Sequence, residues 1–285
     1  MTLSGKSANL ENRALVLVTG AEAEKFLQAV ITTDLDSLGA DELKPGALLT
    51  PQGKIMFDFL VSRVENGLRL DMPEEIAEGL MKRLVLYRLR SKAEITQSSE
   101  SLIAVSWQND SASSQSDSSK RDLRFPESLN VRRHYGQHCD VNNMEGWTRL
   151  RIVNGIAEGS NDFAYNDLFP HDANFDQIGG VSFSKGCFIG QEVVSRMQHR
   201  GTARRRAMVA TATSPLPEKG MALTVGAREI GNLGETCGNQ AIAFVRIDRV
   251  QDALDSQTPI MAGDAEVSLT IPPTAKYTMP IKDQE

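Results

Sequence analysis

Lys185-Gly186-Cys187-Phe188-Ile189-Gly190-Gln191-Glu192 follows the pair Gly179-Gly180 and an apolar run, and it leads into Val193, Val194 and Met197 at helical spacing. The stretch reads as a loop that turns into a helix N-terminus. Free backbone N–H groups at such a terminus, with Lys185 beside them, favour an anion or a thiolate. Gly186 and Gly190 let the backbone approach a ligand or a neighbouring strand closely. Gln191 and Glu192 offer an amide and a carboxylate that can pair with the donor and acceptor edge of a heterocycle. A plainer reading stands beside this one: a buried Cys in a tight loop, with Glu192 serving only as a first-turn acid. The residues alone leave both open.

Upstream, Ala14 to Val18 is a short apolar run ended by Thr19-Gly20, the pattern of a buried strand. Ala23, Phe26, Leu27, Val30 and Ile31 then form one helical stripe, and Thr19 with Glu22 has capping-box spacing, which predicts a helix start there. Gly46 to Thr50 and Ile55 to Val61 read as strands joined by the turn Pro51-Gln52-Gly53-Lys54. Leu68 to Asp71 is a further strand. Pro73 opens a helix with Glu74 and Glu75 in its first turn and Ile76, Leu80, Leu84 and Tyr87 on its apolar face. Between Asn109 and Ser119, six of eleven residues are Ser and none is bulky apolar, so a surface loop is expected there.

Downstream of Arg206 the pattern changes to short strands separated by glycines. Met208-Val209-Ala210 and Ala241 to Val245 are compact apolar runs, and Val267, Leu269 and Ile271 alternate with polar residues. This predicts a small antiparallel barrel or sandwich. The expected division is an α+β region over 1–203 and a barrel over 204–285.

The chain has 285 residues and a formal net charge of −6, against a protein whose main task is coating nucleic acid. Two basic runs nevertheless stand out: Arg196 to Arg206, and Lys82, Arg83, Arg88, Arg90 and Lys92. Either they converge on a polyanion or they are solvated faces. Three cysteines cannot frame a chain of this size with disulfides, which points to a reducing compartment. No apolar run approaches the ~20 residues of a membrane-spanning helix, and Met1 to Asn12 lacks the blocks of a secretory signal, so a cytoplasmic protein without a membrane partner is expected. The P-loop, G-x-G-x-x-G, H-E-x-x-H, C-x-x-C and G-x-S-x-G signatures are missing. His134, His138 and Cys139 have metal-like spacing but no local fourth ligand, and no metal is expected.

K-G-C-F-I-G-Q-E with R-M-Q-H-R-G after it resembles the signature of the YgfZ-type folate-binding proteins. These belong with the aminomethyltransferase (glycine-cleavage T-protein) superfamily and include mitochondrial iron–sulfur assembly relatives. Thr19-Gly20-Ala21-Glu22, Gln52-Gly53-Lys54-Ile55, Arg151-Ile152, Phe169-Pro170, Asn174 and Ala241 to Arg246 occur in the family's order. The resemblance implies an α+β fold of three subdomains around a central tetrahydrofolate pocket, closed by a C-terminal antiparallel β-barrel. It also implies a role in maintaining iron–sulfur enzymes, including those that modify tRNA; direct nucleic-acid binding is not expected. Cys187 is the candidate reactive thiol; Trp147 is the folate contact that the resemblance carries over, and Lys185, Gly186, Gly190, Gln191 and Glu192 of the loop join it as candidates. A second aromatic of some relatives falls near Arg13, which joins the candidates. The alternative is a true aminomethyltransferase moving a one-carbon unit to tetrahydrofolate. T-proteins carry a paired Asp-Asp after the early hairpin, and here the pair reads Phe57-Asp58, leaving Asp58 as the one candidate proton-managing carboxylate. That departure speaks against the transferase.

Overall fold

The computed structural model describes residues 6–108, 119–201 and 203–280. The chain opens with β1 (Lys6–Asn9), β2 (Arg13–Thr19), α1 (Ala23–Val30), β3 (Glu42–Leu49), β4 (Ile55–Val64), β5 (Gly67–Pro73) and α2 (Glu74–Arg88). It continues with β6 (Glu94–Gln97), β7 (Ile103–Trp107), β8 (Ser119–Asp122), β9 (Arg132–Tyr135), α3 (Met144–Val153) and α4 (Gln191–Arg200). The nine strands form one sheet in the order β1-β7-β9-β8-β3-β4-β5-β2-β6, antiparallel except where β3 meets β8. Except for Ser119, which opens β8, the serine-rich stretch lies outside the described residues.

Strand alternation decides what each face of this sheet carries. In β2, Ala14, Val16 and Val18 join Phe59 and Val61 of β4 and Leu68, Leu70 and Met72 of β5 on one face. α1 and α2 cover that face with Phe26, Leu27, Val30, Ile76, Leu80 and Leu84. The intervening residues point the other way: Arg13 and Leu15, Asp58 and Leu60, Arg69 and Asp71. There Leu15 and Leu60 pack with Trp107, Phe125, Trp147 and Ile156. Of the charged residues of this second face, Asp58, Arg69 and Asp71 are buried and Arg13 is partly so.

The predicted capping box at Thr19 and Glu22 does not form. Thr19 stays in the ladder opposite Gly67, Gly20 turns at φ 107, and α1 begins at Ala23 without a side-chain cap. Strand pairing holds Thr19 away from the helix its spacing would cap. Glu22 instead accepts from Lys92 N–H at 2.6 Å.

The C-terminal region is a closed barrel of β10 (Arg205–Ala212), β11 (Ala222–Val225), β12 (Arg228–Cys237), β13 (Gln240–Arg246), β14 (Ile260–Ala262) and β15 (Ala265–Thr270). The sequence-based expectation of an antiparallel barrel is met, with α5 (Ile247–Asp255) inserted before β14. Phe244 and Ile242 of β13 reach out of the barrel to Ile152 of α3, Val194 of α4 and Leu49 and Ile55 of the β3–β4 hairpin. This shared cluster holds the barrel, the helices and the sheet together.

The Lys185–Glu192 stretch is a loop running into α4, as predicted, with Gly190 in the cap position at φ 77. The β3–β4 turn closes beneath it through Thr50 N–H to Lys54 O at 2.8 Å, with Gly53 at φ 83. A Cβ on Gly190 would lie 2.5 Å from Thr50 O and 3.1 Å from Gly53 Cα. Loop and turn therefore meet backbone to backbone, which only glycine permits. Gly190→Ala is expected to cost about 1–3 kcal/mol through the left-handed backbone and the clash. Gly186→Ala, where a Cβ meets nothing within 4 Å, is expected to cost far less. Paired urea denaturation curves read the difference.

Candidate functional site

The buried charges of the second sheet face form a continuous network. Asp71 accepts from Arg13 Nε at 2.6 Å, Arg133 Nη1 at 3.0 Å and Tyr135 OH at 3.1 Å. Arg124 holds Asp122 bidentately and gives Nη1 to Glu158 at 2.6 Å. Arg151 reaches Asp162 at 2.6 Å and also bonds Glu235 and the Ile156 carbonyl. Burial alone would raise the Glu158 carboxyl, yet Arg124, Arg151 and Arg13 hold it well below the usual range. Asp71 is treated the same way: burial opposes ionisation, and Arg13 and Arg133 overcome it.

A cavity of about 770 Å³ opens onto this network, within the size range of small-molecule sites. Arg13, Arg133, Trp147, Arg151, Glu158 and Glu235 are in its wall. Two of the sequence-predicted contacts, Arg13 and Trp147, are thus brought together. Trp147 is 3% exposed and packs against Trp107 and Phe125 at 6.1 and 5.5 Å between ring centroids. Most of the indole is occupied by that packing, and only a small part borders the cavity. A second cavity of about 980 Å³ includes Lys44, Arg124, Ser182, Ser184 and Lys276. Between the two lies a void of about 10 Å³ bounded by Arg13, Asp58, Arg124 and Glu158. Asp58 faces this narrow space. Its carboxyl is raised by burial against the hydrogen bonds from Gly159 N–H and Tyr165 OH.

The glycine-rich loop stands apart from the Trp147 cavity, and none of Lys185, Gly186, Cys187, Gly190, Gln191 and Glu192 is in that cavity's wall. Lys185 Nζ donates to the carbonyls of Ile31 and Thr33 at 2.7 and 2.8 Å, and burial lowers its ammonium to about 8. Gln191 Oε1 accepts from Phe188 N–H at 3.3 Å, and Glu192 pairs with Arg196 at 2.7 Å. These contacts shape the loop and α4. Cys187 is exposed, whereas Cys139 and Cys237 are buried. A thiol offered on a braced loop can meet another molecule; a thiol in a core cannot.

The Arg196–Arg206 run does not act as one patch. Arg196 pairs with Glu192, Arg205 with Asp167, and Arg206 turns inward to Asp176 at 2.6 Å. His134 is buried with Nε2 2.9 Å from Ser106 Oγ, and burial lowers its imidazole to about 4. Among the described residues no three His, Cys, Asp or Glu side chains cluster to hold a metal ion.

Sequence reading missed Asp71, Arg124, Arg133, Asp122 and Glu158. A faint signal was present: Asp58 and Ser62, and Arg69 and Asp71, recur at alternate positions between apolar residues. That is also the pattern of a strand with a wet face. Only burial distinguishes the two.

Comparison with known proteins agrees with this architecture. Residues 204–277 match the CAF17 C-terminal beta-barrel domain. The human iron-sulfur cluster assembly factor IBA57, mitochondrial, is 25% identical over 279 residues, covering 86% of this chain and 78% of that protein. The Chaetomium globosum homologue is 28% identical over 70% of this chain, which spans only 55% of that relative's length. The glycine cleavage system aminomethyltransferase T from Bartonella henselae shares the fold, with a TM-score of 0.68 at 12% identity over 95% of this chain and 86% of that one. The chain has a T-protein-like fold and is similar in sequence to mitochondrial iron–sulfur cluster assembly factors. This corrects the cytoplasmic expectation, because the relatives are mitochondrial proteins. Free thiols and an ordinary soluble composition suit any reducing compartment, so composition could not separate the two. No helix among the described residues is long and apolar enough to cross a membrane.

Asp71→Asn is expected to destabilise the protein by about 3–5 kcal/mol at neutral pH, since it leaves buried guanidiniums short of charge. The carboxyls of Asp71 and Glu158 sit below their unfolded values. Their stabilisation is therefore complete above about pH 5 and is lost as pH falls through 4 toward the folded values. Urea denaturation at pH 7 and at pH 3.5 should show the gap between variant and parent narrowing in acid.

Proposed function

We propose that this protein is a reduced-folate-binding factor for the assembly or maintenance of iron–sulfur enzymes, tRNA-modifying ones among them, of the YgfZ type. The observation that carries this reading is the exposed Cys187 on a braced loop, in a chain similar over 86% of its length to an iron–sulfur cluster assembly factor. Thiolate is a ligand for iron, and a loop anchored by Lys185 and Gly190 can present it to an iron–sulfur partner protein without rearranging. The division of labour puts folate in the 1–203 region and leaves 204–285 as the barrel that closes against it.

The Trp147 cavity suits tetrahydrofolate in size, in its aromatic wall and in its donors and acceptors. Trp147 and Arg13 would contact the bound cofactor. A reduced folate carries one-carbon units on N5 of its ring and N10 of its bridge. This chain's residues are poorly arranged to use it for aminomethyl transfer. Asp58 accepts from Tyr165 and Gly159, and Phe57 stands where the second carboxylate of the transferase pair would be. Iron–sulfur maintenance is therefore favoured over transfer chemistry.

In a strain lacking the gene, iron–sulfur enzyme activities should fall and be restored by the wild-type chain but not by Cys187→Ala. Full restoration by that variant would overturn the role of the thiol. Calorimetry with tetrahydrofolate should show binding by the wild-type chain, and no binding would overturn the folate reading.

A further inference from the structure

The second basic run, residues 82–92, is in the wall of none of the cavities described above. It forms the C-terminal half of α2 and the turn after it. Lys82, Arg83, Arg88, Arg90 and Lys92 are its cations, and no acid stands within it. Lys82 pairs with Glu78 one turn back, but both side chains are in water, where such a pair is weak. Arg83 lies over the Tyr87 ring at 5.9 Å, and Arg88 donates to the Ala93 carbonyl at 3.2 Å. Among the described residues, Arg83, Arg88, Arg90 and Lys92 form no ion pair with a carboxylate. Two acids stand beside the turn, Glu22 on the Lys92 N–H and Glu94 on β6, against five cations.

This half of α2 is apolar on two sides. Ile76, Ala77, Leu80 and Leu84 face the core. On the opposite side Lys82, Val85, Leu86 and Leu89 follow one another at i, i+3, i+4 and i+7. Val85, Leu86 and Leu89 are 47%, 64% and 85% exposed. A helix apolar all round belongs in a core or against another apolar phase. Leu89 ends the helix at φ 49, a backbone region that glycine ordinarily fills at helix ends. The most exposed leucine therefore stands at the tip of a cationic helix end. The first turns of α2 carry Glu74, Glu75 and Glu78, so only its C-terminal end suits an anionic surface.

Charge and area together select the occupant. Five cations with two acids beside them call for a negative partner. Three aliphatic side chains are too few to core a stable protein interface, which takes about 800 Å² from each partner. They do suit a bilayer, where a few apolar side chains dip below the headgroups and flanking cations meet anionic lipid. We infer that the C-terminal end of α2 docks on an anionic lipid bilayer, with Leu86 and Leu89 entering the boundary between headgroups and acyl chains. Such a contact needs no spanning helix. The expectation of no membrane partner rested on the lack of a spanning run, which does not bear on a surface contact.

Sedimentation of the full chain with lipid vesicles tests this. Vesicles of phosphatidylcholine and phosphatidylglycerol in equal parts should carry the chain down, and vesicles of phosphatidylcholine alone should bind it at least about tenfold more weakly. In 1 M salt, where charges act over only ~3 Å, binding to the mixed vesicles should fall by a similar factor. Leu86→Ser with Leu89→Ser should weaken binding about tenfold or more. Arg90→Glu with Lys92→Glu should weaken it about 25-fold or more, at about fivefold for each cation lost. All four side chains are exposed, so thermal melting should stay unchanged, and the second pair serves if the first melts early. Equal binding to both kinds of vesicle, or wild-type binding by either folded double variant, would overturn the inference. No sedimentation with mixed vesicles would overturn it and leave the patch to an acidic protein. A dimer in light scattering that the leucine variant dissolves would overturn it in favour of a second copy.

Discussion

Asp71 is a carboxylate without exposed surface that accepts from Arg13, Arg133 and Tyr135, and the sheet depends on those three bonds. β5 and β9 are separated in the sheet by β4, β3 and β8, so Arg133 reaches Asp71 only because the sheet coils back on itself. An isolated carboxylate in that position would be too costly to bury, and so would each guanidinium. Together they are tolerable, and removing any one exposes the others to the full penalty. The interaction therefore fixes geometry more than it adds stability. It holds the concave face open as a polar cavity where apolar side chains would have filled it.

The same network explains why the two candidate functional features are separate. The cavity belongs to the inner face of the sheet, where residues of β2, β5 and β9 converge. Cys187 belongs to an outer loop seated on the β3–β4 turn through Gly190 and Gly53. The loop reaches the sheet on the face covered by α1, where Lys185 binds the carbonyls of Ile31 and Thr33. A ligand in the cavity and a partner at the thiol can thus be present at once.

Local sequence determined the elements whose residues carry their own instructions. The apolar stripes of α1 and α2, the glycine turn at Gly53, the loop-to-helix passage at Gly190 and the alternating strands of the barrel were all legible, because helical and strand periods and left-handed glycines are local properties. The start of α1 was misread because strand pairing outcompeted the cap at Thr19. The sequence also placed Arg13 and Trp147 among the ligand contacts, and the fold sets both in one cavity wall. It grouped Lys185, Gln191 and Glu192 with them, and the fold turns those side chains to Ile31 and Thr33, Phe188 and Arg196. Tertiary structure alone decided the charged face. Asp71, Arg133 and Glu158 are distant along the chain and look like solvent-facing strand or loop residues. Their burial, and the meaning of their charge, exist only when the coiled sheet brings strands from both of its halves together.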